Sequence, residues 1–237
     1  MAQAFSAFAA DAGVIVFASG VSDSTETRGS AFARERNLLQ RTRARHPDAL
    51  LVYFGTCSVD DPDRRNTPYV QHKLAMEALI KSSPGPWMIL RLPLAIGPGH
   101  RANTLANYLH ARIVRGEPFE VWAGSTRYPL DVEDALRVAA RLIADRSMWH
   151  KTINIALRAF PVREFVRILE DIAGKKATYK LVQRGSHYEV ACPEVARLAG
   201  ELNLDLGEDY LARVLRKYFE PGAIPAAAQS RGTDTTT

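Results

Sequence analysis

Leu50-Leu51-Val52-Tyr53-Phe54-Gly55-Thr56-Cys57-Ser58, followed eleven residues after Ser58 by Tyr69-Val70-Gln71-His72-Lys73, decides the reading of this chain. The first five residues are apolar or aromatic without interruption. A strand of that kind must be covered on both faces, as in a parallel sheet with helices on either side. Gly55 stops the run and leaves Thr56, Cys57 and Ser58 at its carboxyl end, where open parallel sheets form a ligand crevice. Pro68 then suits the first turn of a helix running from Thr67 to about Lys81. Tyr69 and Lys73, four apart, share one face of that helix, so the ammonium can approach the phenol. A phenol titrates at about 10 in water. A neighbouring cation favours the phenolate and brings it toward a useful acid–base range. In a chain with eight tyrosines such a pair is weak by itself. The preceding strand and hydroxyl give it context.

The same alternation extends outward. Val14 to Ala18 reads as a buried strand between Gly13 and Gly20, and Trp87 to Leu92 as another. Ala2 to Ala10, Ser30 to Arg45, Asn103 to Arg115 (ended by Gly116) and Val132 to Asp145 read as helices. Strand alternating with helix predicts an α/β fold built on a doubly wound parallel sheet. Beyond Ile153 the pattern changes: helices over Val162–Ala173 and Asp209–Tyr218 surround a short strand at Thr178–Val182. The expected organisation is therefore a dinucleotide-binding domain over 1–152, with insertions near 98–128, and a small C-terminal lobe over 153–220. Residues 221–237 are Pro, Ala, Ser, Gly and Thr-rich and are expected to be a disordered tail.

Composition narrows the classes. With 237 residues, 46% hydrophobic and 24% charged, the chain can bury a core of its own, which excludes disorder throughout. Two cysteines, Cys57 and Cys192, make neither a disulfide scaffold nor a zinc cage, and a cytoplasmic home is expected. No apolar stretch approaches the roughly 20 residues of a membrane span. The six histidines show no metal-ligand spacing. The net charge of +5 permits anionic partners, but the arginines of Ser30–Arg45, with Glu35 among them, read as a solvated face rather than a nucleic-acid surface. Cys57 reads as a small buried residue rather than a nucleophile.

Taken with Val14–Gly20, Arg91-Leu92-Pro93-Leu94-Ala95-Ile96-Gly97-Pro98-Gly99 and Arg127-Tyr128-Pro129-Leu130-Asp131-Val132-Glu133-Asp134, these residues resemble the extended short-chain dehydrogenase/reductases, the NAD-dependent epimerase/dehydratase group. The likeness runs from Ala2 to about Phe219. It implies a Rossmann-like fold, NAD or NADP as cofactor, and a nucleotide-sugar substrate. It also implies Thr56, Tyr69 and Lys73 as catalytic residues, with Ala18, Ser19, Gly20, Tyr69, Lys73, Leu92 and Pro93 against the cofactor. Thr56 and Arg127 would meet the substrate, Arg127 at its diphosphate. No metal, nucleic acid or membrane is implied, and there is room for a homodimer.

The sequence departs from the family pattern at several points. Leu94 stands for its Asn, Asp131 for its His, Gly55 for its Ser, and Ala31 for a substrate-side Asn. No G-x-G-x-x-G occurs, so the sheet is expected to lack its first strand and glycine loop, with a natural start upstream of Met1 or poor dinucleotide binding. The expected function is NAD(P)-dependent oxidoreduction, epimerisation or dehydration of a nucleotide-linked sugar by Tyr-Lys-assisted hydride transfer. The alternative is a non-catalytic derivative of the fold that acts as a binding or regulatory partner.

Overall fold

A computed structural model describes residues 13–98 and 104–222, so the helix expected at Ala2–Ala10 and nearly all of the expected tail lie outside the described residues. In chain order the first elements are β1 (Val14–Phe17), α1 (Gly29–Arg45), β2 (Leu50–Thr56), α2 (Pro68–Ser82), β3 (Trp87–Leu92), β4 (Leu94–Ile96) and α3 (Leu105–Arg115). There follow β5 (Phe119–Trp122), β6 (Thr126–Arg127), β7 (Pro129–Asp131), α4 (Val132–Ala144), β8 (Thr152–Asn154), β9 (Phe160–Pro161), α5 (Val162–Ala173), β10 (Tyr179–Val182), α6 (Pro193–Glu201) and α7 (Tyr210–Phe219).

The main sheet is wholly parallel, in the order β1-β2-β3-β8. Its side chains alternate between two buried faces. Leu50, Val52, Met88 and Leu90 pack with Ala135, Val138 and Leu142 of α4 and Leu198 of α6. Leu51, Tyr53 and Ile89 pack with Leu39 of α1 and Met76 and Ile80 of α2. Helices cover both faces, so the doubly wound arrangement follows from the uninterrupted apolar strands. Each such side chain contributes about 1.5–3 kcal/mol of burial free energy.

A second core lies beside the sheet. Leu109 and Ile113 of α3, Phe119 and Val121 of β5, Phe165 and Leu169 of α5, and Leu211, Val214 and Leu215 of α7 form one cluster. The division expected between 152 and 153 falls inside β8, which pairs with β3, while α6 lies against α4 on the sheet. β8 has only Ile153 as a strong apolar signal, and α6 is a nine-residue helix following Pro193; neither announces itself in sequence.

Asp131 joins the two cores. As N-cap of α4 it accepts the Glu133 amide at 2.9 Å. It also accepts the Tyr218 hydroxyl at 2.7 Å and the Lys217 ammonium at 2.7 Å, both from α7. Its own N–H donates to the Tyr210 hydroxyl at 3.1 Å, which in turn donates to Asp134 at 3.0 Å. A carboxylate at 131 therefore fastens α7 to the head of α4. Asp131→Ala removes the cap and orphans a buried tyrosine hydroxyl. It is expected to cost about 2–3 kcal/mol in urea unfolding, and Asp131→Asn less.

Candidate active site

The four parallel strands of the main sheet end on one side, and most of the residues singled out in the sequence gather there. Thr56 closes β2, is 6% exposed, and caps the short 3-10 turn Cys57–Val59 by accepting the Ser58 amide at 3.1 Å. Across the register Thr56 stands beside Leu92, the last residue of β3, which is half-buried like Pro93. Thr67 caps α2 through the Val70 amide, and Pro68 fixes its first turn, so Tyr69 enters the protein one residue into the helix. Tyr69 is buried, with the Thr56 side chain close enough to act on its phenol. Burial raises the phenol to about 12, opposed in part by Thr56 and reinforced by the Glu35 charge. This is opposite to the lowering expected from the neighbouring lysine, whose own surroundings lie one turn further along α2.

Lys73 is 3% exposed, and its ammonium is 5.9 Å from the centre of the Tyr69 ring. Its donors go to Glu35 Oε1 at 3.1 Å, the Tyr53 hydroxyl at 3.0 Å and the Phe54 carbonyl at 3.5 Å. The positive charge that would relieve Tyr69 is thus paired with a carboxylate. Burial lowers the Lys73 pKa, and Glu35 opposes the fall.

Glu35 is the residue that the sequence reading misplaced. Read as one charge on a solvated face, it is 1% exposed. Its Oε1 accepts from Tyr53 at 2.7 Å as well as from Lys73; its Oε2 accepts from the Val21 amide at 2.6 Å and lies 2.9 Å from His72 Nε2. Burial alone would raise its pKa, but the His72 bond, the Lys73 charge, the Tyr53 hydroxyl and the Val21 amide bring it down to about 2. Its spacing from Leu38 and Leu39 offers the one sequence signal, an i+3, i+4 relation to the buried stripe of α1.

Two glycines are dictated by these head groups. A Cβ on Gly20 would lie 2.6 Å from Glu35 Oε1 and 3.0 Å from Lys73 Nζ. A Cβ on Gly55 would lie 2.8 Å from Glu77 Oε1 and 3.1 Å from Arg91 Cγ. Arg91 and Glu77 form a two-pronged pair at 2.9 and 2.7 Å, which accounts for glycine where the family pattern has serine.

Arg127 stands apart from this cluster. On β6 it donates to the Thr126 carbonyl at 2.7 Å and faces the buried Asp61 carboxylate at 3.7 Å. With Thr25, Arg64, Trp122, Ser125 and Val162 it lines a cavity of about 430 Å³ that reaches Thr67 and Pro68 at the start of α2. Thr56, Tyr69 and Lys73 are not in its lining. Ala18, Ser19 and Gly20 follow β1, with Ser19 exposed and its neighbours half-buried. Cys57 is buried with its thiol on the Arg91 carbonyl at 3.2 Å, and burial pushes its pKa up.

Residues 1–156 match the sequence profile of the NAD dependent epimerase/dehydratase family. The chain belongs to that family. No curated protein matches it in sequence. Among solved structures it is similar to UDP-glucose 4-epimerase of Thermus thermophilus in complex with NAD, at 15% identity and a TM-score of 0.69, covering 92% of this chain and 80% of that one. It is also similar to UDP-glucuronic acid 4-epimerase of Bacillus cereus in complex with UDP-glucuronic acid and NAD (18% identity, TM-score 0.66, 84% and 72% covered). RMD of Pseudomonas aeruginosa complexed with NADPH gives 20% identity, a TM-score of 0.65 and coverages of 86% and 79%. At these identities the likeness establishes the fold.

The depressed Glu35 pKa carries a stability prediction. A carboxylate at about 2 in the folded chain, against an ordinary 4.5, stabilises the fold fully above 4.5. That contribution declines below 4.5 and is lost as pH falls through about 2. Glu35→Gln is expected to be less stable than wild type at pH 7, with the gap narrowing as unfolding is measured at successively lower pH.

Proposed function

We propose that this chain is an NAD(P)-dependent oxidoreductase or epimerase acting on a nucleotide-linked sugar, with Tyr69 as acid–base, assisted by Thr56 and Lys73. The observation that carries this reading is the convergence of Thr56, Tyr69 and the buried Lys73 at the carboxyl ends of parallel strands. Neighbours of the same fold, solved with NAD, NADPH or UDP-sugars, support the substrate class.

The residues present fit the reactive end of a nicotinamide cofactor. Gly20 brings backbone where a side chain would strike Lys73 and Glu35, and Ala18, Ser19, Leu92 and Pro93 border the same strand ends. These residues, with Tyr69 and Lys73, would hold it. When bound, the nicotinamide supplies or accepts the hydride.

The protein's own part is proton management. With its phenol raised to about 12, Tyr69 is protonated at neutral pH and so is set to donate to a sugar oxygen that gains negative charge. Thr56, beside the phenol, holds the reacting oxygen in line with it. Lys73 supplies the cation that stabilises the phenolate left behind. Arg127, partly exposed in its cavity, offers a planar fork suited to a diphosphate.

One observation favours a second reading, a non-catalytic derivative: the Lys73 donors already have partners inside the protein. Turnover decides between the two. With NAD+ or NADP+ and UDP-glucose or UDP-glucuronic acid as probes, wild-type protein should show conversion. Tyr69→Phe should lose at least about a hundredfold with its circular dichroism unchanged. Absence of both cofactor binding and conversion in wild type would favour the derivative. Arg127→Ala should weaken a UDP-sugar far more than the free sugar by calorimetry; equal losses would remove the diphosphate contact.

A further inference from the structure

We propose that Glu35 is a positioning residue for Lys73, an internal counter-ion that keeps the buried ammonium protonated and aimed beside Tyr69. The inference rests on the catalytic reading of Lys73 above, but its physical part can be tested without it.

The geometry is a closed set of contacts contributed by three elements. Lys73 from α2 donates to Glu35 from α1 and to Tyr53 from β2, while the Tyr53 hydroxyl donates to the same Glu35 oxygen. The second Glu35 oxygen accepts the Val21 amide and meets His72 Nε2. A carboxylate only accepts, so His72 carries its proton on Nε2 in this arrangement. The His72 ring is stacked on Phe32 of α1 at 4.4 Å, which holds it to that role. Glu35 therefore has four partners and no freedom to swing. It is a fixed negative charge, and Gly20 leaves the space that both head groups fill.

No other carboxylate among those interacting with Lys73 can do this work. The groups facing Lys73 are Glu35 of α1, Tyr53 and the Phe54 carbonyl of β2, and Tyr69 and Glu77 of α2, with His72 on the far oxygen of Glu35. Glu77 is committed to Arg91 by two short bonds, with Lys81 at 3.8 Å. An ammonium in a site 3% exposed loses its proton readily unless an opposite charge is close. Glu35 supplies that charge independently of any ligand. Its charge also acts on Tyr69, raising the phenol and favouring its proton-donating form.

The test reads Lys73 directly. Full-length protein labelled with 15N-lysine is titrated by NMR, the Lys73 Nζ signal being assigned by its loss in Lys73→Arg. In Glu35→Gln the ammonium should give up its proton at least about one pH unit lower than in wild type, a tenfold fall in proton affinity. Glu35→Asp should restore part of the difference. An unchanged midpoint in folded Glu35→Gln would overturn the proposal. Where the enzyme turns over a UDP-sugar, the alkaline limb of its pH profile should move down in step.

The two readings fail separately. A shifted Lys73 midpoint without any turnover upholds the counter-ion and removes the enzyme. Turnover with an unmoved midpoint does the reverse. If Glu35→Gln does not fold, the double variant Glu35→Gln/Lys73→Met decides: recovery of folding supports the pairing, and failure as complete as in the single variant overturns it.

Discussion

Placing an ammonium inside the protein constrains everything around it. Lys73 can be buried on α2 only because α1 delivers a carboxylate to it, and β2 a tyrosine hydroxyl. That requirement fixes how α1 and α2 sit on the sheet face, since Glu35 must reach across while Leu39, Met76 and Ile80 fill the layer beneath. It also bears on the backbone after β1, where a Cβ on Gly20 would press on the Glu35 and Lys73 head groups. Replacing such a pair with apolar groups is often harmless to stability, whereas removing one member leaves an uncompensated charge. Glu35 and Lys73 are therefore bound to be kept or lost together.

The sheet and its covering helices were legible because their signals are strong and local. Leu50 to Phe54 and Trp87 to Leu92 admit few readings, and Gly116, in the left-handed region at φ 68°, ends α3 where its residue type indicates. β8 and the short pairs β4–β7 and β6–β9 were not legible. Two or three residues carry no periodicity, and their pairing is decided by where distant segments dock. The lobe's helices were readable one by one, yet the joining of α3 and β5 to α5 and α7 is a tertiary fact.

Much of the candidate site could be named from spacing and resemblance: Thr56, Tyr69 and Lys73 do converge. What could not be read was the sign of the electrostatics. Tyr69 is expected to be eased toward ionisation, but burial, reinforced by the Glu35 charge, holds it near 12. Glu35 sits among arginines in sequence, and in that company it looks solvated. Only the position of α1 against α2 turns it inward. The departure at Asp131 has a similar origin, since its partners Lys217 and Tyr218 lie more than eighty residues away.

Gly55, Glu77 and Arg91 are coupled through direct contact. A side chain at 55 collides with the ion pair, and dismantling either half of the pair strands the other charge against the sheet. A serine at 55 is accommodated only if the Glu77 and Arg91 side chains move, so each position's tolerance depends on the state of the other two.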